Sequence, residues 1–275
     1  TGAIPKKAHP ASPPTCARVP ENNHANLYVP QRPLPPLLSR PARPHPTLPL
    51  CAWPRLCRQL RIPPRCRRSP FTGRRAILLD LAGSGYSERP RDFSYTTTAH
   101  ARTILELVDH LGLHDLYLYG HSMGGSIAIE AAAHLGNRLR GLIVSECNLT
   151  AGGGTYSRAI AAYREEDYIA HGHAALIAQE TSLWAGSLRS SAPWAVWRGA
   201  RSLIDGVEPD WLTRLRALPQ RKIFLVGAHT LPDADYERIR TAHIPTAVIP
   251  AAGHSMSWEN PGGLAAALAA FMDET

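Results

Sequence analysis

Ser122 is the side chain whose setting most strongly suggests chemistry. It lies in the run Gly-His-Ser-Met-Gly at 120–124, after alternating leucines and tyrosines at 116–119 and before small apolar residues. A strand, a sharp turn and a helix carrying G-x-S-x-G hold a serine hydroxyl clear of the backbone, where it can act as a nucleophile. The glycines leave the neighbouring strand and helix room to approach. A serine that merely caps the helix is the alternative interpretation.

The backbone N–H of Met123 is predicted to lie beside the serine oxygen, because this residue opens the helix that follows Ser122. Helix N-termini stabilise negative charge. A donor at this place stabilises the oxyanion that forms when a serine attacks a carbonyl. We therefore expect Met123 to supply an oxyanion donor.

A serine hydroxyl needs a base within hydrogen-bond reach and a carboxylate that orients the base. His254 is the predicted base among 13 histidines. It follows the apolar stretch 246–249, and loops after parallel strands gather at the carboxyl edge of a sheet. Glu146 closes the apolar run 141–145. A carboxylate there needs a partner to offset its desolvation, and His254 is the predicted partner.

The elements that must position these residues follow from the apolar patterns. Strands that alternate with helices indicate an α/β fold with a mostly parallel sheet. Residues 74–150 and 219–275 are predicted to form the core, and 151–218, which shows no strand pattern, is predicted to be a helical cap. Strands are predicted at 75–80, 116–119, 141–145, 222–226 and 246–249, and core helices at 95–111, 125–135 and 261–272.

The motifs at 80–87, 120–125 and 253–254 resemble, in order and spacing, those of the α/β-hydrolase family. The likeness covers residues 74–275. It implies a mostly parallel sheet flanked by helices, an inserted helical cap and a Ser-His-acid triad. A serine at position 122, rather than an aspartate, disfavours the epoxide-hydrolase and haloalkane-dehalogenase branches. The resemblance leaves the substrate open, because this fold carries many reactions.

The family resemblance offers two places for the triad acid. The usual place is a turn after the strand that precedes the histidine strand. Here that turn ends in Thr230, with Asp233 and Asp235 a few residues later. The other place follows the next strand after the helix behind Ser122, and it holds Glu146. We expect Glu146 to be the acid and keep Asp233 and Asp235 as alternatives.

The resemblance also implies a His-Gly turn upstream of Asp80 that supplies a second oxyanion donor. The glycines before Asp80 are Gly2 and Gly73, and neither follows an apolar strand with a histidine before it. The N-terminal strands expected around the turn are missing from the pattern or replaced. Loss of one oxyanion donor costs on the order of 100- to 1000-fold in rate. A catalytically impaired or non-catalytic protein of the same fold is therefore the alternative function.

Residues 1–73 differ in composition from the rest of the chain. The first 70 residues hold 17 of the 25 prolines, 12 of the 30 Lys and Arg residues and one of the 22 acidic residues. Residues 26–29 form at best one short strand. The segment is interpreted as a disordered basic tail, as a polyproline ligand, or as a stretch of a GC-rich gene read out of frame. The missing His-Gly turn favours the third interpretation.

Charge and cysteine content narrow the class of protein. Residues after position 70 hold 18 basic and 21 acidic side chains, so the folded part gives no reason to expect a nucleic-acid partner. Apolar runs stay below the roughly 18 residues of a membrane span, and a cytoplasmic protein without a membrane partner is expected. The cysteine spacing matches no zinc pattern, and neither a metal nor a cofactor is expected.

These observations predict a serine hydrolase that cleaves an ester or related acyl bond of a small molecule. Three tryptophans of the cap segment, at 184, 194 and 197, suggest that the substrate is apolar.

Overall fold

The computed structural model describes residues 48–52, 71 and 74–274. Six strands of this part form one sheet in which every pair is parallel, in the order β2-β1-β3-β4-β5-β6. The predicted parallel α/β sheet is therefore confirmed. The strands are β1 (Leu48–Ala52), β2 (Ala76–Leu79), β3 (Leu116–His121), β4 (Leu139–Ser145), β5 (Arg221–Gly227) and β6 (Thr246–Ile249).

β1 is a strand that the sequence pattern does not predict. It lies in the Pro- and Arg-rich segment, yet it pairs with β2 on one side and β3 on the other. Its register with β2 shifts between Pro49 and Ala52, where a proline cannot donate an N–H to a regular ladder. The possible strand at 26–29 lies outside the described residues.

Two helices, α1 (Thr97–His110) and α2 (Met123–Leu135), lie between β2 and β4. The first begins after a threonine cap, because the Thr96 hydroxyl accepts the N–H of Ala99 at 3.1 Å. α2 follows Ser122 without an intervening residue.

The helices between β4 and β5 fall within residues 151–218, which we call the cap segment. They are α3 (Thr155–Ala161), α4 (Glu165–Asp167), α5 (His173–Gln179), α6 (Trp184–Arg189), α7 (Pro193–Asp205) and α8 (Trp211–Ala217), with a π-helical turn at Tyr168–Gly172. Three helices follow β5. They are α9 (Ala234–Thr241), α10 (Met256–Glu259) and α11 (Pro261–Asp273). None of the described helices is long and apolar enough to cross a bilayer.

Side chains of β3 pack on both faces of the sheet. Leu116 and Leu118 belong to a cluster that includes Ile104 and Ile127 of α1 and α2. Tyr117 and Tyr119 point the other way, into a cluster with side chains of α11. All six residues of β3 are buried, because both faces of this strand are covered.

The cap segment is bonded to the turn after β2. Gly85 donates its N–H to Ser190 O at 2.8 Å, and Ala192 donates to Gly83 O at 2.8 Å. Arg198 of α7 adds a second tie, because it donates to Arg91 O at 2.8 Å while it pairs with Glu165. These hydrogen bonds fix the turn that contains Gly83 and Gly85 to the cap segment.

Arg198 also donates to Phe93 O at 3.0 Å. Its guanidinium thus holds two carbonyls of the segment before α1 and one carboxylate of the cap segment. Both Arg198 and Glu165 are about three-quarters buried, so this ion pair is less screened than one on the open surface.

Candidate active site

Ser122 lies at the sharp turn between β3 and α2. Its φ of 53° falls in the left-handed region, a conformation that costs a non-glycine residue energy and is common at functional sites. Its side chain makes no hydrogen bond that caps α2, so the helix-cap interpretation has no support. A methyl group at Gly120 would lie 2.2 Å from Gly124 O. The predicted need for glycine at position 120 therefore follows from the close approach of strand and helix.

His254 lies between Ser122 and Glu146. Its Nε2 is 3.2 Å from Ser122 Oγ, and its Nδ1 is 2.8 Å from Glu146 Oε2. The loop after β6 thus brings the imidazole to the carboxyl ends of β3 and β4. If Nδ1 carries the proton and donates a hydrogen bond to Glu146, Nε2 is free to accept the serine proton.

Glu146 follows β4 directly and has a φ of 42°. Its side chain is 5% exposed. Oε1 accepts the N–H of Gly227 at 2.8 Å and the hydroxyl of Thr230 at 2.7 Å. Burial acts to raise the pKa of Glu146, but the hydrogen bonds from His254, Gly227 and Thr230 outweigh it and lower this pKa. The carboxyl group is therefore ionised at neutral pH and faces the imidazole.

The two alternative carboxylates have other partners. Asp233 caps α9, with Oδ1 accepting the N–H of Tyr236 at 2.8 Å. Asp235 pairs with Arg238 at 2.6 Å. The structure therefore brings Glu146, rather than Asp233 or Asp235, to His254.

Met123 is the first residue of α2, so its backbone N–H has no acceptor within the helix. This arrangement suits the predicted oxyanion donor. The second donor is expected upstream of Asp80, where the structure describes residues 48–52, 71 and 74–79.

Comparisons with known proteins agree with this architecture. A family model described as "alpha/beta hydrolase fold" matches residues 50–153. An esterase from Thermogutta terrifontis superimposes with a TM-score of 0.63 at 23% identity, covering 82% of this chain and 89% of the esterase. The chain has the α/β-hydrolase fold. A second esterase of known structure, from Exiguobacterium antarcticum, gives a TM-score of 0.63 at 17% identity and covers 83% and 92% of the two chains.

Curated relatives of this α/β-hydrolase-fold chain match over shorter stretches. Haloalkane dehalogenase 2 of Mycobacterium bovis is 41% identical over 70 residues, which are 26% of this chain and 24% of the dehalogenase. 2-Hydroxymuconate semialdehyde hydrolase of Pseudomonas putida is 35% identical over 71 residues, or 26% and 25% of the two chains. The matches thus span about a quarter of the length of these relatives.

A cavity of about 520 Å³ opens over Ser122 in the α/β-hydrolase fold. The core contributes Ser122, Glu146 and His254 to its wall. The cap segment contributes mostly apolar side chains, among them Ile160, Trp184, Leu188, Val196 and Leu203. The charged side chains of the described wall, apart from histidines, are the carboxylates of Glu146, Asp233 and Asp235.

Two histidines near the cavity stay neutral. Burial and the neighbouring His254 lower the pKa of His121 well below its ordinary value, and its ring lies 4.8 Å from that of His254. His100 lines the cavity, and burial lowers its pKa to about 4. Neither imidazole carries a positive charge at neutral pH, so His254 faces no cationic histidine there.

Two site residues escape prediction from the pattern. His100 lies in α1, far along the chain from the motifs, and no local signal marks it. Thr230 carries a signal, because it occupies the turn where the family resemblance places a carboxylate. Its hydroxyl binds Glu146 instead. In the described residues, no cluster of three His, Cys, Asp or Glu side chains has the arrangement of a metal site.

Proposed function

We propose that this chain is a serine hydrolase that cleaves an ester or related acyl bond through Ser122, His254 and Glu146. The observation that carries the proposal is the position of one imidazole, with Nε2 3.2 Å from Ser122 Oγ and Nδ1 2.8 Å from Glu146 Oε2. A nucleophile, a base and an orienting acid in this sequence are what acyl transfer needs.

In the first half of the proposed reaction, Ser122 Oγ attacks the carbonyl carbon of the substrate. His254 Nε2 takes the serine proton, and Glu146 stabilises the imidazolium that forms. The negative oxygen of the tetrahedral intermediate receives a hydrogen bond from Met123 N–H. The leaving alkoxide then takes the proton from Nε2, and an acyl group remains on Ser122.

In the second half, water replaces the serine as the nucleophile. His254 Nε2 accepts a proton from the water as its oxygen attacks the acyl carbon. The second tetrahedral intermediate collapses, the carboxylic acid leaves, and Ser122 Oγ regains the proton from Nε2. The chain is thereby returned to its starting state.

An uncharged, apolar acyl substrate fits the described cavity best. Its cap wall is mostly apolar, and its non-histidine charges are carboxylates, which repel an anionic substrate. The match to a haloalkane dehalogenase does not lead us to propose dehalogenation, because Ser122 stands where the dehalogenase branch of the family resemblance has an aspartate.

Labelling with a fluorophosphonate tests the nucleophile. We expect the purified chain to be labelled covalently, because the reagent traps a serine activated by a base. Ser122→Ala should abolish labelling and lower hydrolysis of p-nitrophenyl butyrate by at least about 1000-fold. Ser94→Ala, at an exposed serine, serves as the matched control and should keep both. A panel of p-nitrophenyl esters of increasing chain length then reports the acyl preference.

A non-catalytic protein of the same fold is the second candidate. It is favoured by the lack of a His-Gly pair between β1 and Asp80, since one oxyanion donor then has to serve alone. A folded wild-type chain that neither takes up the fluorophosphonate nor hydrolyses any ester of the panel would support this candidate and contradict the proposed hydrolase.

A further inference from the structure

The turn after β5 contacts the predicted acid through two donors. Gly227 donates its backbone N–H to Glu146 Oε1 at 2.8 Å, and Thr230 donates its hydroxyl to the same oxygen at 2.7 Å. An ionised carboxylate only accepts hydrogen bonds, so the hydroxyl must be the donor. One carboxylate oxygen of Glu146 is thus held from two directions.

This arrangement leaves the other oxygen for the imidazole. Oε2 is 2.8 Å from His254 Nδ1. A glutamate side chain has three rotatable bonds, and its ordering costs more conformational entropy than that of an aspartate. Two donors on Oε1 restrict the rotation of the Glu146 carboxyl group and aim Oε2 at the base.

The same turn is bonded to the loop that carries His254. His229 donates its N–H to Ala252 O at 2.8 Å, and Ala228 donates to Ile249 O at 2.9 Å. A methyl group at Gly227 would lie 2.5 Å from Ala252 O, so the turn and the loop are in close contact. The turn therefore fixes the acid on one side and the base on the other.

We propose that Thr230 is a positioning residue, whose hydroxyl orients Glu146 toward His254. The inference rests on the proposed function, since it assigns Thr230 a part in the same site. The turn in which the family resemblance places the acid thus supplies a hydrogen-bond donor to Glu146, which follows the neighbouring strand β4.

The hydroxyl can be removed without removing the turn. Thr230 N–H donates to Gly227 O at 3.1 Å, and this backbone bond persists in any replacement except proline. Thr230→Val keeps the shape of the side chain and deletes its donor. Thr230→Ser keeps the donor and deletes a methyl group, which makes it the matched control.

Kinetics with p-nitrophenyl butyrate test the catalytic consequence. We expect Thr230→Val to lower kcat about tenfold with KM within about twofold of wild type, because a hydrogen bond to a charged group is lost from the site but not from the substrate. The acidic limb of its pH profile should move to higher pH, since one cause that lowers the pKa of Glu146 is gone. Thr230→Ser should retain most of kcat and the wild-type limb. Equal kcat in wild type and the valine variant, or equal losses in both variants, would overturn the proposal.

Carbon-13 NMR of the glutamate carboxyl groups tests the same inference without catalysis. The Glu146 resonance is assigned by its disappearance in Glu146→Gln. We expect its titration midpoint to rise in Thr230→Val and to stay near wild type in Thr230→Ser. An unchanged midpoint in the valine variant would refute the role of Thr230 even if the wild-type chain proves to be inactive, and inactivity alone would count only against the proposed hydrolase.

Discussion

Ser122 and Glu146 both have a positive φ, which residues with a side chain rarely adopt. Their φ angles are 53° and 42°. The residues just before them, His121 and Ser145, are register partners in β3 and β4. Both strands are therefore followed by a residue of positive φ that lines the cavity. Such strain persists only where the surroundings hold it, and here the hydrogen bond from Ser122 N–H to Ser145 O, at 2.9 Å, links the two strand ends.

Moving the carboxylate from position 146 to position 230 tests the role proposed for Glu146. Glu146→Gln should lower kcat by about 1000-fold or more, because the imidazole loses its charged partner. Adding Thr230→Asp to that variant should recover at least about tenfold, since position 230 directly contacts the Glu146 carboxyl group. The comparison is made in kcat on p-nitrophenyl butyrate.

Glu146→Gln with Thr230→Asn is the control for this transfer, because it has the same shape without the charge. Equal activity of the Asp and Asn double variants would mean that position 230 cannot serve His254.

The sequence predicts those site residues whose proposed role depends on a local sequence pattern. Ser122 is marked by its glycines, and His254 by its place after the last strand. Glu146 is marked by the cost of a charge at the end of an apolar run. The roles of Thr230 and His100 depend on which side chains meet in space, and a single sequence carries no such distances.

At the scale of elements, the approach of β3 to α2 decides whether the turn at Ser122 can form. Gly120 is the tightest point, because the atom nearest to an added methyl group is the backbone oxygen of Gly124 at 2.2 Å. A backbone oxygen cannot rotate away as a flexible side chain can. Strand and helix must separate to admit any side chain there.

Gly120→Ala is therefore expected to destabilise the chain by more than about 3 kcal/mol and to lower activity with it. Gly262→Ala is the control. It lies in α11 at an exposed position, where the nearest atom to an added methyl group is 3.9 Å away. Urea denaturation of both variants measures the difference, and similar midpoints for the two would contradict the close packing at Gly120.

The pattern predicts strands β2 to β6 within a few residues. β3 and β4 are the clearest, because strands covered on both faces read as continuous apolar runs. The pattern fails for β1 and for α9. β1 contains a proline and lies in a segment rich in basic residues. α9 has one buried residue, Ile239, so it offers almost no apolar period. In β1, pairing with β2 and β3 outweighs the local preference. α9 begins at a local signal, the Asp233 cap, rather than at an apolar period.

At the scale of the whole molecule, several polar ties join the cap segment to the core. Arg198 is the most extensive, because it joins Glu165 of the cap segment to the carbonyls of Arg91 and Phe93. Loss of this side chain should loosen the wall that the cap segment gives to the cavity while leaving the residues around Ser122 in place.

We expect Arg198→Ala to raise KM for long-chain p-nitrophenyl esters about three- to tenfold with little change in kcat, since binding is lost and chemistry is retained. Arg201→Ala is the matched control on the same helix, because the one side-chain partner of Arg201 among the described residues is Asp205, one turn away. Steady-state kinetics of the two variants make the comparison. An unchanged KM in Arg198→Ala would show that the tie does not shape the cavity.

The strand order has a consequence for how the activity is lost. Ser122, Glu146, Thr230 and His254 follow four neighbouring strands, and the last of these, β6, has a single partner among the described strands. An edge strand opens more readily than a central strand, because only one neighbouring strand holds it. The imidazole therefore depends on an edge strand, and a brief detachment of β6 would stop the proposed chemistry while Ser122 and Glu146 stayed in register.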